Sequence, residues 1–539
     1  MNKISKKILA VLITAVMVAG CNTQELQDLN INPQAVTKID LNFMFSAAQL
    51  GAASGGSAGD NRYIDWRTNI GMCSMAIQQL ANAGGGIAPG DKYTENFETS
   101  NAPFEFIYGD QLKNLAEVLK QTGDGGFDAG KRVNLRNASR ILRVFLFHRL
   151  TDYYGRIPYF DAAKATEGST FFFPKYDKQS EIYADLLKEL EEATAAISAS
   201  NPDEGFAAAD LYYNGDISKW KKWGNSLMLR LAMRISNVDA AKANTYIAKA
   251  VAGGVFTSNA DNTWVPMALT PSEWTNQNGI SRAFYPGDGG QPSFLSKTMI
   301  DWLKGTDPAN VADDDPRLMI LSGGIARWTP TTWTLLEGDP LKQKGMPNGQ
   351  DAASLAILEG GPVDQEATYS RINWLLLQDD EPYMLMNYGE VKLLLAEAAE
   401  RGLGGLTAGA AAGHYADGVR ASMKMYDKYD ASFVVADAKV DAYLAAYPYA
   451  GTTNEKLEMI GEQLWATNFL NWWEAWSNWR RTGFPVLTPV NYPGNETGGT
   501  IPVRLRYPSY EASGNPNFEA TSTTPNTYTT KVWWAGGAD

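Results

Sequence analysis

Histidine is nearly missing from this chain: His148 and His414 are the only two in 539 residues. That leaves too few imidazoles for a multi-histidine metal centre, and His148, set in a helical segment, reads as a satisfied structural residue. Cysteine is equally scarce, with Cys21 and Cys73 alone. If Cys21 is taken up by an anchor, Cys73 has no partner, no internal disulfide forms, and the fold is held by its core. Basic excess is also lacking. Lys and Arg number 47 against 60 Asp and Glu, an acidic balance that argues against nucleic acid. No P-loop or HExxH sequence occurs, and the one GxSxG string, Gly55–Gly59, sits in a Gly/Ser-rich stretch. The one long apolar run, Ile8 to Gly20, has thirteen residues, short of the about 20 that a membrane-spanning helix needs.

That run is an export signal, preceded by Lys3, Lys6 and Lys7. Val18-Ala19-Gly20 immediately before Cys21 has the form of a lipobox. Cleavage there leaves Cys21 as the acylated first residue, and several acyl chains anchor firmly where one binds only marginally. Asn22 follows, not the aspartate that favours inner-membrane retention, so the outer membrane is expected. Losing residues 1–20 removes three lysines and moves the formal charge from −13 to −16.

What the chain does have is aromatic side chains. Trp465, Phe469, Trp472, Trp476 and Trp479 recur at spacings of four, three, four and three, which on one helix lays five rings down one face. Arg480 and Arg481 suit the carbonyl end, and Gly483 with Pro485 ends it. Burial in a core is the simpler reading of such a stripe; an exposed sugar-stacking platform is the rival. Elsewhere helices are expected over Asn134–Thr151, from a Ser180 cap through Leu190, from Ser218 through Ile235, and from an Asp239 cap with Tyr246, Ile247, Ala250 and Val251 inside. Another runs from Pro382 through Ala398. Short connections between successive helices suggest antiparallel pairs. From Val255 to Gln378 periodicity fades, with only Ser293–Leu303 reading as a helix, and Trp264, Trp274, Tyr285, Trp302, Trp328, Trp333 and Trp374 fall among Pro, Gly, Asn and Asp. Loops of that length are usually functional or disordered, and the aromatic content argues against disorder. Ile501–Pro508 is a short strand candidate.

Catalytic signatures are not visible. Glycosidases need two carboxylates about 5–10 Å apart; Asp379, Asp380 and Glu381 are available, but sequence cannot pair them. Asp313-Asp314-Asp315 lacks the alternation and glycine of an EF-hand loop. A solvated turn before Pro316 is simpler than a single calcium held partly by carbonyls, so no cofactor is expected.

Seven stretches together with the lipobox carry a family pattern: LNINPQAVTKIDLNFMFSAA, RLTDYYGRIPYFDA, YDKQSEIYADLLKEL, YYNGDISKWKKWGNSLMLRLAMRIS, LLLAEAAERG, NFLNWWEAWSNWRRTGFP and IPVRLRYP. In this order the chain resembles the SusD/RagB-like outer-membrane lipoproteins. The resemblance implies a mainly α fold, four divergent tetratricopeptide-like helix pairs packed with a loop-rich ligand-binding part. It implies one SusD-like domain over 21–539, with the loop-rich insertion at about 257–378. It also implies a cell-surface protein that binds oligosaccharides or polysaccharides, sometimes peptides, and hands them uncleaved to a SusC-like TonB-dependent transporter. By position in the family, the ligand residues are expected to be Trp66, Tyr93, Trp264, Trp274, Asn276, Arg282 and Tyr285. The alternative class is a helical surface glycoside hydrolase.

Overall fold

Helix caps and left-handed stops decide where the scaffold turns. Helix α1, Val133–Tyr154, is buried along most of its length and ends at Gly155, whose φ of 86° no side chain takes readily. Helix α2 spans Gln179–Ala196. Ser180, expected to cap it, lies inside its first turn and donates from its backbone to Asp539 at 3.1 Å. Helix α3, Ile217–Arg234, is capped two residues earlier than Ser218 suggested, by the Asp216 carboxylate accepting from the amides of Ser218 and Lys219. Asp239 does cap α4, Ala240–Gly253, through the Lys242 amide, although Val251 is exposed there. Helix α5, Tyr388–Glu400, starts from an Asn387 cap and not at Pro382. The chain continues with α6, Ala411–Lys424; α7, Thr453–Thr467; and α8, Trp472–Thr482.

The structure, a computed structural model, describes residues 39–54, 63–84, 89–201, 203–271, 275–288, 290, 293–518 and 525–539. The signal segment and Cys21 lie outside them. Met1–Leu41 is one unit and Asn42–Asp539 the other, and the second holds all the elements labelled here. Within it α1 packs on α2, α3 on α4, α5 on α6 and α7 on α8. The pairs are joined where α3 meets α2 and α5, and where α5 meets α7. This is the expected mainly α, tetratricopeptide-like architecture. Among the described residues no helix is long and apolar enough to cross a membrane.

The aromatic stretch is two helices, not one. Asn468–Asn471 interrupts it, and Leu470 takes φ 73°. The asparagines supply the reason, since their amides compete with the helical ladder: Asn468 donates back to the Leu464 carbonyl at 3.1 Å, and Asn471 to the Leu385 carbonyl at 3.3 Å. Trp465, Phe469, Trp472 and Trp476 are at most 1 % exposed, so the stripe is core and no platform. Arg480 lies 3.8 Å over the Trp476 ring, and Gly483 ends α8 in the left-handed conformation as expected.

At the centre of the pairs sits a buried ionic hub. Arg230 of α3 clasps Glu390 of α5 with both oxygens, at 2.6 and 2.7 Å. Arg234, one turn on, pairs with Glu474 of α8 and approaches Asp152 of α1 at 3.3 Å. His148 bridges Asp152 at 3.3 Å and Glu474 at 3.7 Å. One cluster therefore touches all four pairs. Burial pushes the Glu474 carboxyl up, but Arg230, Arg234 and His148 outweigh it and hold the group well below the usual carboxylate range. Cys73 is buried and unpaired, and burial pushes its thiol up to about 12.

Between α4 and α5 the chain is richer in regular structure than its composition suggests. Strand β3, Thr263–Val265, pairs antiparallel with β7, Tyr383–Met386; β1 and β2, Ile157–Pro158 and Tyr176–Asp177, pair elsewhere. Strands β4, Ser322–Thr329, β5, Thr332–Glu337, and β6, Ser370–Ile372, form a sheet in the order β5-β4-β6. Short helices occupy Gly279–Phe284 and Ala352–Glu359. The helix expected over Ser293–Leu303 begins only at Lys297, after a Ser296 cap. Asp315 is buried against Arg317 at 2.7 Å, and Asp313 accepts from the Thr306 and Asp307 amides, so this turn is a structural lock. Ile501–Pro508 is extended without forming a strand; Val503 and Leu505 donate to Tyr528 and Tyr153 carbonyls.

Candidate binding cleft

A two-residue turn, Pro330-Thr331, joins β4 to β5 and sets Trp328 opposite Trp333. Their rings meet edge to face with centroids 6.0 Å apart, an arrangement the ring quadrupoles favour. Trp374 follows β6 in a single turn capped by Asn373 and stacks on Trp333 at 6.5 Å and 23°. Trp333 can lie this close to the sheet because residue 323 is glycine. A Cβ there would come within 2.8 Å of the Trp333 ring and of the Asn373 backbone.

These three rings and Tyr285 wall an open cleft of about 290 Å³, with Gln378, Asp379 and Asp380 on its polar side. The helix Gly279–Phe284, capped by Asn278, organises that side. Ser281 donates its hydroxyl to the Leu377 carbonyl at 2.7 Å and to the Asp379 carboxylate. The Asn278 amide donates to the Asp379 carbonyl at 2.7 Å. Arg282 lies beneath, 3.6 Å from Asp379 and 4.9 Å from the Tyr285 ring centre. Aromatic faces beside fixed acceptors suit a ligand with flat apolar faces and hydroxyl rims.

The sequence-based site is only partly gathered here. Tyr285 lines the cleft and Arg282, almost fully buried, braces it. Trp264 is on β3, packed edge to face on Tyr429 at 5.8 Å, and is not among the cleft's lining residues. The Asn276 carbonyl accepts from the Ala268 amide. Trp66 is half-buried on the π-helical segment Asp65–Ser74. Tyr93 needs correction: it is 1 % exposed, its hydroxyl accepts from the Val490 amide and its carbonyl from Glu496, so its ring has no face for a ligand. Trp274 lies outside the described residues. Trp328, Trp333 and Trp374 wall the cleft and were not among the ligand residues expected from the sequence. The alternation Trp328-Thr329 and Thr332-Trp333 about Pro330 was the available signal for a hairpin.

Glu381 follows the acidic edge, and burial, then Asp380 and Asp430, push its carboxyl up to about 7. The unfolded value is about 4.3, so the native state binds the extra proton and stability falls as pH rises from there through 7. Glu381→Gln removes that loss. Urea midpoints are expected to favour the variant over the wild type at pH 8 and to converge at pH 5.

A family profile described as SusD-like, starch-binding and associating with the outer membrane, matches residues 33–508. The chain belongs to the SusD-like family. Among solved structures a chitin-binding protein is 33 % identical, with TM-score 0.76, and the match covers 92 % of this chain and 100 % of that one. A SusD-like protein of Bacteroidetes AC2a is 25 % identical at TM-score 0.77 over the same shares. A SusD homolog from Bacteroides uniformis, 24 % identical at TM-score 0.71, covers 92 % and 100 % and shares the fold. No curated protein matches the chain at a significant level. In this SusD-like chain the cleft rings all come from the stretch between α4 and α5, and the helix pairs carry them.

Proposed function

We propose that this SusD-like protein captures oligosaccharides at the cell surface and hands them to a SusC-like TonB-dependent transporter, without cleaving them. The observation that carries this is the open cleft walled by Trp328, Trp333, Trp374 and Tyr285. Sugar rings offer C–H faces to stacked indoles and hydroxyls to Gln378, Asp379 and Asp380. The 33 %-identical relative is a chitin-binding protein, which makes chains of N-acetylglucosamine the first ligand to try. Anchoring is assigned to acyl chains on Cys21.

Gentle purification from outer membranes, followed by mass spectrometry, tests the partnership: a stoichiometric large β-barrel supports it, and a solitary protein counts against it. Metabolic palmitate label is expected to disappear in Cys21→Ala; retained label would place the anchor elsewhere. Release of reducing sugar from a polysaccharide panel would turn the reading toward a hydrolase. Peptides co-eluting in place of sugars would keep the import role and change the ligand.

A further inference from the structure

Trp328 is a shared wall. It also lines a second cleft, of about 440 Å³, together with Phe284, Pro286, Gln365, Glu366 and Arg371. Phe284 and Tyr285, adjacent in sequence, face the second and the first cleft respectively. The two clefts are therefore neighbours across one half-exposed indole and the end of one short helix. The first is near the lower end of the about 300–1,000 Å³ typical of small-molecule sites; a polymer passing over Trp328 would occupy both.

The chemistry of the second cleft restricts what it takes. Arg371 donates to the Ala326 carbonyl at 2.9 Å and to Glu366 at 2.6 Å, and lies 4.4 Å from the Phe294 ring centre. Arg327 pairs with Asp364 and meets Glu366 at 3.3 Å. Two guanidiniums thus balance two carboxylates, leaving no net charge to attract an ionic ligand, while Pro286, Phe284 and Trp328 offer apolar wall and Gln365 an amide.

We infer that this second cleft is a further subsite for an uncharged glycan, occupied by the continuation of the chain held in the first cleft, so that recognition depends on chain length. The inference rests on the glycan-binding reading above. Calorimetric titration with N-acetylglucosamine oligomers of two to six units tests it. Wild-type affinity is expected to rise at least tenfold from dimer to hexamer and to change less than threefold between 0.05 and 0.5 M salt. Gln365→Trp fills the second cleft; it is expected to bind the dimer as the wild type does and to lose the gain with length. Pro286→Trp fills it from another lining position and is read in the same way, so the answer does not hang on one variant folding. Equal affinity of the wild type for dimer and hexamer, or an undiminished length gain in the filled variants, overturns the second subsite and leaves the first intact. Absence of binding at every length overturns the glycan reading, and this inference with it.

Discussion

Trp328→Ala is expected to weaken oligosaccharide binding by about 30-fold or more, the equivalent of about 2 kcal/mol for loss of a central aromatic anchor. The indole forms a wall of the main cleft and supports Trp333 edge to face at 6.0 Å. Its removal takes away one stacking surface and loosens another, since Trp333 in turn carries Trp374. Calorimetry with chitin oligomers measures the loss, and intrinsic fluorescence gives an independent titration. Trp264→Ala is the matching control. Its ring packs on Tyr429 and is not among the cleft's lining residues, so its affinity should stay within about threefold of the wild type, a change below the hot-spot range. If the two variants lose affinity equally, the cleft has been misplaced and the Trp264 side of the chain holds the ligand.

Glu474→Gln is expected to lower stability by about 3–5 kcal/mol, because it strips a buried counter-charge from two buried arginines. Arg230 and Arg234 are both 1 % exposed, and Asp152 and Glu390 are already engaged. The pH dependence carries the sign. The native Glu474 carboxyl is held low, so its contribution is in place above the unfolded value of about 4.3 and is lost as pH falls through the folded pKa. Urea midpoints at pH 7 and pH 2 are expected to lie farther apart in the wild type than in the variant. Glu191→Gln, which breaks the exposed pair with Lys249, should leave the urea midpoint nearly unchanged. An equal loss from both variants would mean that the hub contributes no more than a surface contact.

Much of the scaffold was legible in the sequence because helices are local. The apolar periodicity of Ala138, Ile141, Leu142 and Phe145 needs no knowledge of the rest of the chain, and all four are buried in α1. Caps were less secure. Ser180 and Ser218 carry the right side chain in the wrong place, and Asp216, two residues away, competes with Ser218 and accepts from its amide. The aromatic stripe has correct spacing for one helix; the break comes from Asn468 and Asn471, whose partners are backbone carbonyls that spacing alone does not reveal. The hub was invisible for a different reason: Arg234 and Glu474 are 240 positions apart. The cleft fared likewise. Trp328 and Trp333 are neighbours by hairpin register, but Trp374 joins them only once β6 is laid beside β4. Of the ligand residues transferred by position, Tyr285 lines this cleft and Arg282 lies beneath it, whereas the rings that β4, β5 and the turn after β6 bring together were not among them.

Every residue lining the two clefts belongs to the stretch between α4 and α5, whereas every member of the ionic hub sits on the helix pairs. The proposed ligand contacts and the ionic hub therefore lie in different parts of the chain. Residues at the hairpin tip and the turn after β6 can be changed without touching any member of that hub. If the cleft reading holds, exchanging only the hairpin tip and the turn after β6 between relatives of this fold is expected to change which sugar is bound while the helix pairs stay in place.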